Sequence, residues 1–223
     1  MKSPFLTIDF FHDTVCGWCF VMSPKLRKLA SEFPIRVRHR TFVLQDSPAK
    51  LAAAFGSAKK AKDVILGHWE RCAEHDEGDR ISVEGMRRQN FPYPPGLLSA
   101  KACKAAELQT GDAGHWDYFD AVQAAHLTEN RNIANEGVLL DAARSCGLDA
   151  GRLRKDMYSA EVTQLVSQDR QLAASWRISA VPTLAVAGGK WQLHHGPLAQ
   201  MRAELALAVT DVAGQAPAGK DLR

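Results

Sequence analysis

The sequence predicts an α/β fold in which a strand–helix–strand unit at the start and a strand–strand–helix unit at the end flank a long helical insert. Three observations predict it. Runs rich in β-branched and aromatic residues lie at Phe5–Phe11, Ile35–Leu44 and Thr183–Ala187, each short enough to be a buried strand. Between the second and third of these, residues 45–178 are dominated by Ala, Leu, Glu, Lys and Arg, with no convincing strand. The chain has 223 residues, 46% hydrophobic and 24% charged, a globular balance and a length that can bury a sizeable core.

The elements follow in order. Phe5–Phe11 runs through a polar turn, His12-Asp13-Thr14-Val15, into Cys16-Gly17-Trp18-Cys19. From there Val21, Met22, Leu26, Leu29, Ala30 and Phe33 recur at three- and four-residue intervals, one apolar face of a helix. Pro24 removes a backbone bond inside that helix and Pro34 ends it. Ile35–Leu44 alternates over its first half, and a right-handed crossover makes it parallel to the first strand. Helices are expected near 49–55, 59–75, 97–110, 115–128, 135–147, 150–157 and 160–176, with a rigid loop at Gln89–Gly96, where three prolines fall within four residues. Gly188-Gly189 joins Thr183–Ala187 to Lys190–His194 as an antiparallel hairpin. A last amphipathic helix covers about 197–212. Residues 1–44 and 179–212 then form an α/β domain, 45–178 an inserted helical subdomain, and 213–223 a flexible tail.

Composition excludes several classes. Disorder and collagen do not fit it, and an odd count of five cysteines argues against a closed disulfide framework. A net charge of +3 singles out neither nucleic acid nor a membrane surface. No apolar run approaches the ~18–20 residues of a membrane span. The Met1–Asp9 segment lacks the apolar core of a secretory signal, so a cytoplasmic location is expected.

Cys16 and Cys19 sit where a strand gives way to a helix, the context in which C-x-x-C is a thioredoxin-like redox motif. Two intervening residues in a first helical turn bring the sulfurs within bonding reach. The first cysteine lies at the helix N-terminus, where unpaired N–H groups and the helix dipole favour negative charge. Cys16 is therefore the expected attacking thiolate, and Cys19, further in, the resolving thiol. Zinc is not expected, because Cys72, Cys103 and Cys146 are scattered and no second C-x-x-C or H-x-x-x-H supplies the missing ligands.

The second element is Ile178-Ser179-Ala180-Val181-Pro182-Thr183, with proline at the first residue of a strand. In a thioredoxin-like fold this proline is cis, its loop lies against the cysteines, and Val181 offers backbone groups that pair with a bound polypeptide. With Asp13–Phe20 near the start and Ala180–Leu184 near the end, the chain resembles the DsbA-like branch of the thioredoxin superfamily, in particular the FrnE-type proteins and their 2-hydroxychromene-2-carboxylate isomerase relatives. The resemblance implies an α/β thioredoxin fold with a helical subdomain between the second and third strands. It implies thiol–disulfide oxidoreduction on protein or small-molecule disulfides, with Cys16 and Cys19 catalytic and Trp18, Val181 and Pro182 binding substrate. No cofactor is required, though glutathione is a possible reductant or cosubstrate. FrnE-type proteins usually carry proline where this chain has Gly17, a position that tunes redox poise. The isomerase relatives typically have serine for the first cysteine. Two rivals follow: a glutathione-dependent isomerase or transferase of the kappa-like type, and a non-catalytic binding module.

Other residues carry weaker signals. His12 and Asp13 are close enough to the motif to influence Cys16 or relay protons, and Asp13 or Asp9 could serve Cys19 as base, although turn-forming is the plainer role for Asp13. Cys72, Cys103 and Cys146 are expected to be buried hydrophobes rather than a second relay. His194 and His195 point to opposite strand faces and cannot share a metal. Arg36, Arg38 and Arg40 form a positive stripe, solvated or covered by an insert helix. The Phe91–Pro95 loop is a rigid connector or a lid.

Overall fold

A computed structural model describes residues 6–186, 188–189, 191–194 and 196–214, with side chains to residue 210. The order is β1 (Leu6–His12), α1 (Gly17–Glu32), β2 (Ile35–Thr41), α2 (Pro48–Phe55), α3 (Ala58–Ala73), α4 (Val83–Arg88), α5 (Leu97–Gln123), α6 (Glu136–Ser145), α7 (Ala150–Met157), α8 (Ala160–Ser175), β3 (Thr183–Val186), β4 (Trp191–Leu193) and α9 (Leu198–Gly214). The sheet order is β2-β1-β3-β4. β1 and β2 are parallel, with Phe10 opposite His39. β3 is antiparallel to β1, with Phe10 opposite Leu184, and β4 is antiparallel to β3. The chain has the expected thioredoxin fold, with its helical insert between β2 and β3.

β1 is covered on both faces, which is why it reads as a nearly continuous apolar run. Leu6, Ile8 and Phe10 join the main core with Leu26 and Leu29 of α1, Phe119 of α5 and Met201 of α9. Phe11 faces the other way, onto Ala173, Trp176 and Ile178. The main core continues into the insert through Trp69, Tyr118, Leu139 and Leu153. α1 runs through Pro24. The carbonyl that proline leaves without its usual donor is that of Phe20, and the Arg80 guanidinium donates to it at 3.3 Å.

Ser47, Ser57, Asn135, Asp149 and Ser159 each accept a backbone N–H at the start of a helix, the caps that fix the insert's boundaries. The β3–β4 turn places Gly188 and Gly189 at φ 70° and 85°, the left-handed pair a two-residue hairpin needs.

Four details differ from the sequence reading. The helices expected at 97–110 and 115–128 are one kinked element, broken at Thr110 and at Gly111, whose φ is 71°, and extended by a π-type turn at Ala124–Thr128. α4 was not anticipated, since its 6 residues show too little periodicity. β2 stops at Thr41, short of Leu44; Val43 then turns the chain with a φ of 60°. α9 runs to Gly214, beyond the expected 212. Ala187, Lys190, His195 and most of the expected tail lie outside the described residues.

The arginine stripe is neutralised: Arg36 pairs with Asp112 of α5, Arg38 with Asp9, and Arg40 with both Asp9 and Asp169 of α8. No helix among the described residues is long and apolar enough to cross a membrane.

Candidate active site

The turn after β1 delivers Cys16 to the N-cap of α1. Its N–H bonds the Asp13 carbonyl at 3.1 Å, and its own carbonyl accepts from Cys19 and Phe20 as the helix starts. Cys16 is 8% exposed and Cys19 fully buried. Both are free thiols. The Cys16 thiol lies 3.6 Å from the Val181 carbonyl, and the Val181–Pro182 peptide is cis, as the fold led us to expect. Burial, reinforced by the neighbouring Cys16 thiol, pushes the Cys19 thiol well above its usual range.

Trp18 is half-buried, with its indole against the His75 ring at 5.1 Å. It stands between two cavities. One, of about 310 Å³, is lined by Cys16, Trp18, Phe55, Trp69, Tyr93 and Val181 among others, with no carboxylate, Lys or Arg among the described residues of its walls. The other, about 510 Å³, is bordered by Lys25, Glu74, Asp76 and Glu77. Cys16, Cys19, Trp18, Val181 and Pro182 are thus brought together at one end of the sheet.

Asp13 is buried beneath the turn. Its carboxylate accepts from the Leu44 N–H at 2.6 Å and the Val15 N–H at 3.3 Å. Burial pushes its pKa up to about 6 despite those bonds. A Cβ on Gly96 would stand 2.3 Å from an Asp13 oxygen, so Gly96 is required by this close approach. Asp13 therefore ties the motif turn to the segment after β2 and to the start of α5. Asp9 does not reach the cysteines, because strand alternation turns it to the face opposite α1, where Arg38 and Arg40 hold it. His12 turns instead into the interior, its Nε2 3.1 Å from His39 Nδ1.

Three contributors escaped the sequence reading. Gln123 Nε2 donates to the Cys16 carbonyl at 3.0 Å and approaches those of Asp13 and Thr14 at 3.4 Å. Tyr93 donates to the Val15 carbonyl at 2.7 Å and accepts from the Trp69 indole at 3.2 Å. The Phe91–Pro95 loop is therefore a fixed wall through its buried Tyr93, and its three prolines were the only hint. The third is Cys72: a Cβ on Gly17 would stand 2.9 Å from the Cys72 sulfur. That contact is a physical reason for glycine where proline is usual. Burial pushes the Cys72 thiol up to about 12. Cys103 is buried in α5, while Cys146 sits at the end of α6 with its thiol 3.5 Å from the Asp117 carbonyl.

A C-x-x-C at a helix N-cap, facing a cis-proline loop on a four-stranded sheet, defines the thioredoxin-fold class. Within it, the chain belongs to the DSBA-like thioredoxin domain family, which matches residues 7–206. The chain is 29% identical over 185 residues to the ClpXP adapter protein SpxH of Bacillus subtilis (strain 168), covering 82% of this chain and 58% of that one. The chain therefore spans little more than half the length of the curated relatives it matches. Its fold is similar to that of the cytosolic disulfide reductase DsbM from Pseudomonas aeruginosa, solved with GSH (TM-score 0.74, 22% identity, 92% of this chain and 100% of that one). It is also similar to a 2-hydroxychromene-2-carboxylate isomerase (TM-score 0.58, 16% identity, 93% and 95%).

Proposed function

We propose that the protein is a thiol–disulfide oxidoreductase of the cytoplasm, acting on disulfide-containing or dithiol proteins and on small-molecule disulfides. The observation that carries this reading is the pair of adjacent free thiols at the start of α1, with Cys16 facing the Val181 carbonyl. The Cys16 thiolate attacks one sulfur of a substrate disulfide. The S–S bond breaks, the distal sulfur leaves as a thiolate, and a mixed disulfide joins Cys16 to the other half. Cys19 then attacks Cys16 Sγ, its proton passing to the departing substrate sulfur. Two electrons have moved to the substrate, and Cys16–Cys19 is oxidised. Two equivalents of a small thiol such as glutathione restore the dithiol, and the same steps reversed oxidise a substrate.

In this reading Val181 and Pro182 form the edge on which a polypeptide aligns, and Trp18 supplies an apolar contact. The presence of both cysteines favours redox cycling over glutathione-dependent isomerisation, which needs only Cys16. A second reading is a non-catalytic adapter, favoured by the similarity to SpxH.

The test is a redox titration in glutathione buffers, trapped by alkylation and read by mass spectrometry. The expected result is a reversible loss of two hydrogens confined to the peptide holding Cys16 and Cys19. A midpoint near about −270 mV marks a reductase and one near about −120 mV an oxidase. A pair that never closes sinks the oxidoreductase reading. A lasting glutathione adduct on Cys16 then favours the isomerase, and unreactive thiols favour the adapter.

A further inference from the structure

Three histidines that the redox chemistry does not use meet in the interior. His12 ends β1, His39 lies on β2, and His115 comes from α5 after its kink. Their ring centroids are 5.0, 5.2 and 4.8 Å apart. One nitrogen from each ring lies within 4.8 Å of the other two. All three residues are at most 2% exposed. Each ring also keeps one fully buried nitrogen with no hydrogen-bond partner: His12 Nδ1, His39 Nε2 and His115 Nε2. Buried polar atoms left in this state are rare, and three of them in one cluster call for an explanation.

We propose that His12, His39 and His115 bind a divalent first-row transition ion, with zinc as the probe, through one nitrogen of each ring. Imidazole suits zinc, copper and nickel, whereas magnesium and calcium demand oxygen. A tetrahedral zinc with bonds of about 2.0–2.1 Å sets its donors about 3.3 Å apart. His12 Nε2 and His39 Nδ1, which now face each other, already stand at 3.1 Å, and the third donor is the unpartnered Nε2 of His115, so His115 is the ring that must close in.

The surroundings fit. His115 Nδ1 faces a Glu107 oxygen at 2.6 Å, the carboxylate–histidine arrangement that orients a ligand and leaves Nε2 for the metal. Burial lowers the pKa of all three histidines, which keeps them neutral and able to coordinate. Lys104 is the nearby cation, and its ammonium is held by Glu107 and Asp169, both at 2.8 Å. Asp169 also pairs with Arg40, so the carboxylates around Lys104 are matched by cations and the imidazoles themselves are the ligands. Phe10, Trp116 and Phe119 pack against the rings and keep out competing water. A bound ion would tie β1, β2 and α5 together one residue before Asp13. Because the rings are buried, loading takes place as the chain folds.

The test expresses the full chain in medium supplemented with zinc or with cobalt, removes loose metal, and measures metal per chain in the wild type and in a Cys16→Ser/Cys19→Ser variant. The proposal expects about one ion per chain in both. The cobalt form should show visible d–d absorption without sulfur-to-cobalt charge transfer. X-ray absorption at the zinc edge of the wild type should show nitrogen neighbours at about 2.0–2.1 Å and no sulfur. His115→Ala should lower metal retention at least tenfold. If that variant does not fold, the wild-type spectra decide on their own. Metal far below one per chain overturns the proposal, as does metal that vanishes with the two cysteines, sulfur in the shell, or full retention in a folded His115→Ala.

Discussion

The contact between Gly17 and Cys72 sets up a double-mutant cycle. An alanine Cβ at position 17 would lie 2.9 Å from the Cys72 sulfur, 3.3 Å from the Cys72 Cβ and 3.6 Å from a Leu127 methyl. The sulfur has one rotor and is buried, and its own Cβ is close as well, so it cannot simply swing aside. Forced overpacking of this kind costs about 1–3 kcal/mol. Against it, alanine in a helix gains up to about 1 kcal/mol over glycine. Gly17→Ala alone should therefore range from neutral to about 2 kcal/mol destabilising. In a Cys72→Ala background the sulfur is gone, and the same change should be neutral or stabilising by up to about 1 kcal/mol. The coupling energy, about 1–3 kcal/mol, is well above what independent sites show. Urea unfolding of the wild type, both single variants and the double variant measures it. Equal effects of Gly17→Ala in the two backgrounds would refute the steric account of the glycine. The same geometry predicts that proline, favoured at the first position of a helix, is accepted at position 17 only once Cys72 is shortened.

Two further predictions follow from burial. Because burial raises the pKa of Cys19, Cys72, Cys103 and Cys146, these four remain thiols at pH 7, and iodoacetamide should label Cys16 first in the reduced native protein. Peptide mass spectrometry over time reads the order; labelling of Cys72 as fast as Cys16 would contradict it, and raising the pH should bring in Cys146 before Cys72. His126, enclosed by Trp69 and Tyr93, has its pKa pushed down to about 4 by burial. As pH falls below about 6.5 the unfolded chain takes up this proton first, so stability drops until about pH 4 and then levels, a loss of about 3 kcal/mol. His126→Phe should flatten the slope of unfolding free energy between pH 7.5 and 4.5 by about 2–3 kcal/mol, and an unchanged slope would remove His126 as its source.

The parts of this molecule that sequence revealed are those built from neighbours in the chain. The two cysteines, the strand before them and the helix after them lie within 27 residues, from Leu6 to Glu32, and each leaves a local mark: β-branched runs, a spacing of three, an apolar face. The Val-Pro-Thr loop was legible only jointly with them, because proline before a strand means little until a sheet places it opposite a thiol. The remaining groups at the site arrive from far away and leave no periodic trace. Gln123 reaches Cys16 across 107 residues and Tyr93 reaches Val15 across 78; both sit in segments whose pattern is explained fully by helix or loop. The histidines of the buried cluster come from β1, β2 and α5, each the single histidine of its element, so spacing rules for metal ligands do not apply. Gly17 shows the limit most clearly. Its departure from proline was visible at once, yet its cause is a sulfur 55 positions away, on a helix whose own sequence requires only that Cys72 be buried. A motif's intervening residues are therefore set partly by the insert that packs on them, and the dipeptide between two cysteines cannot be read as a redox setting until that packing is known.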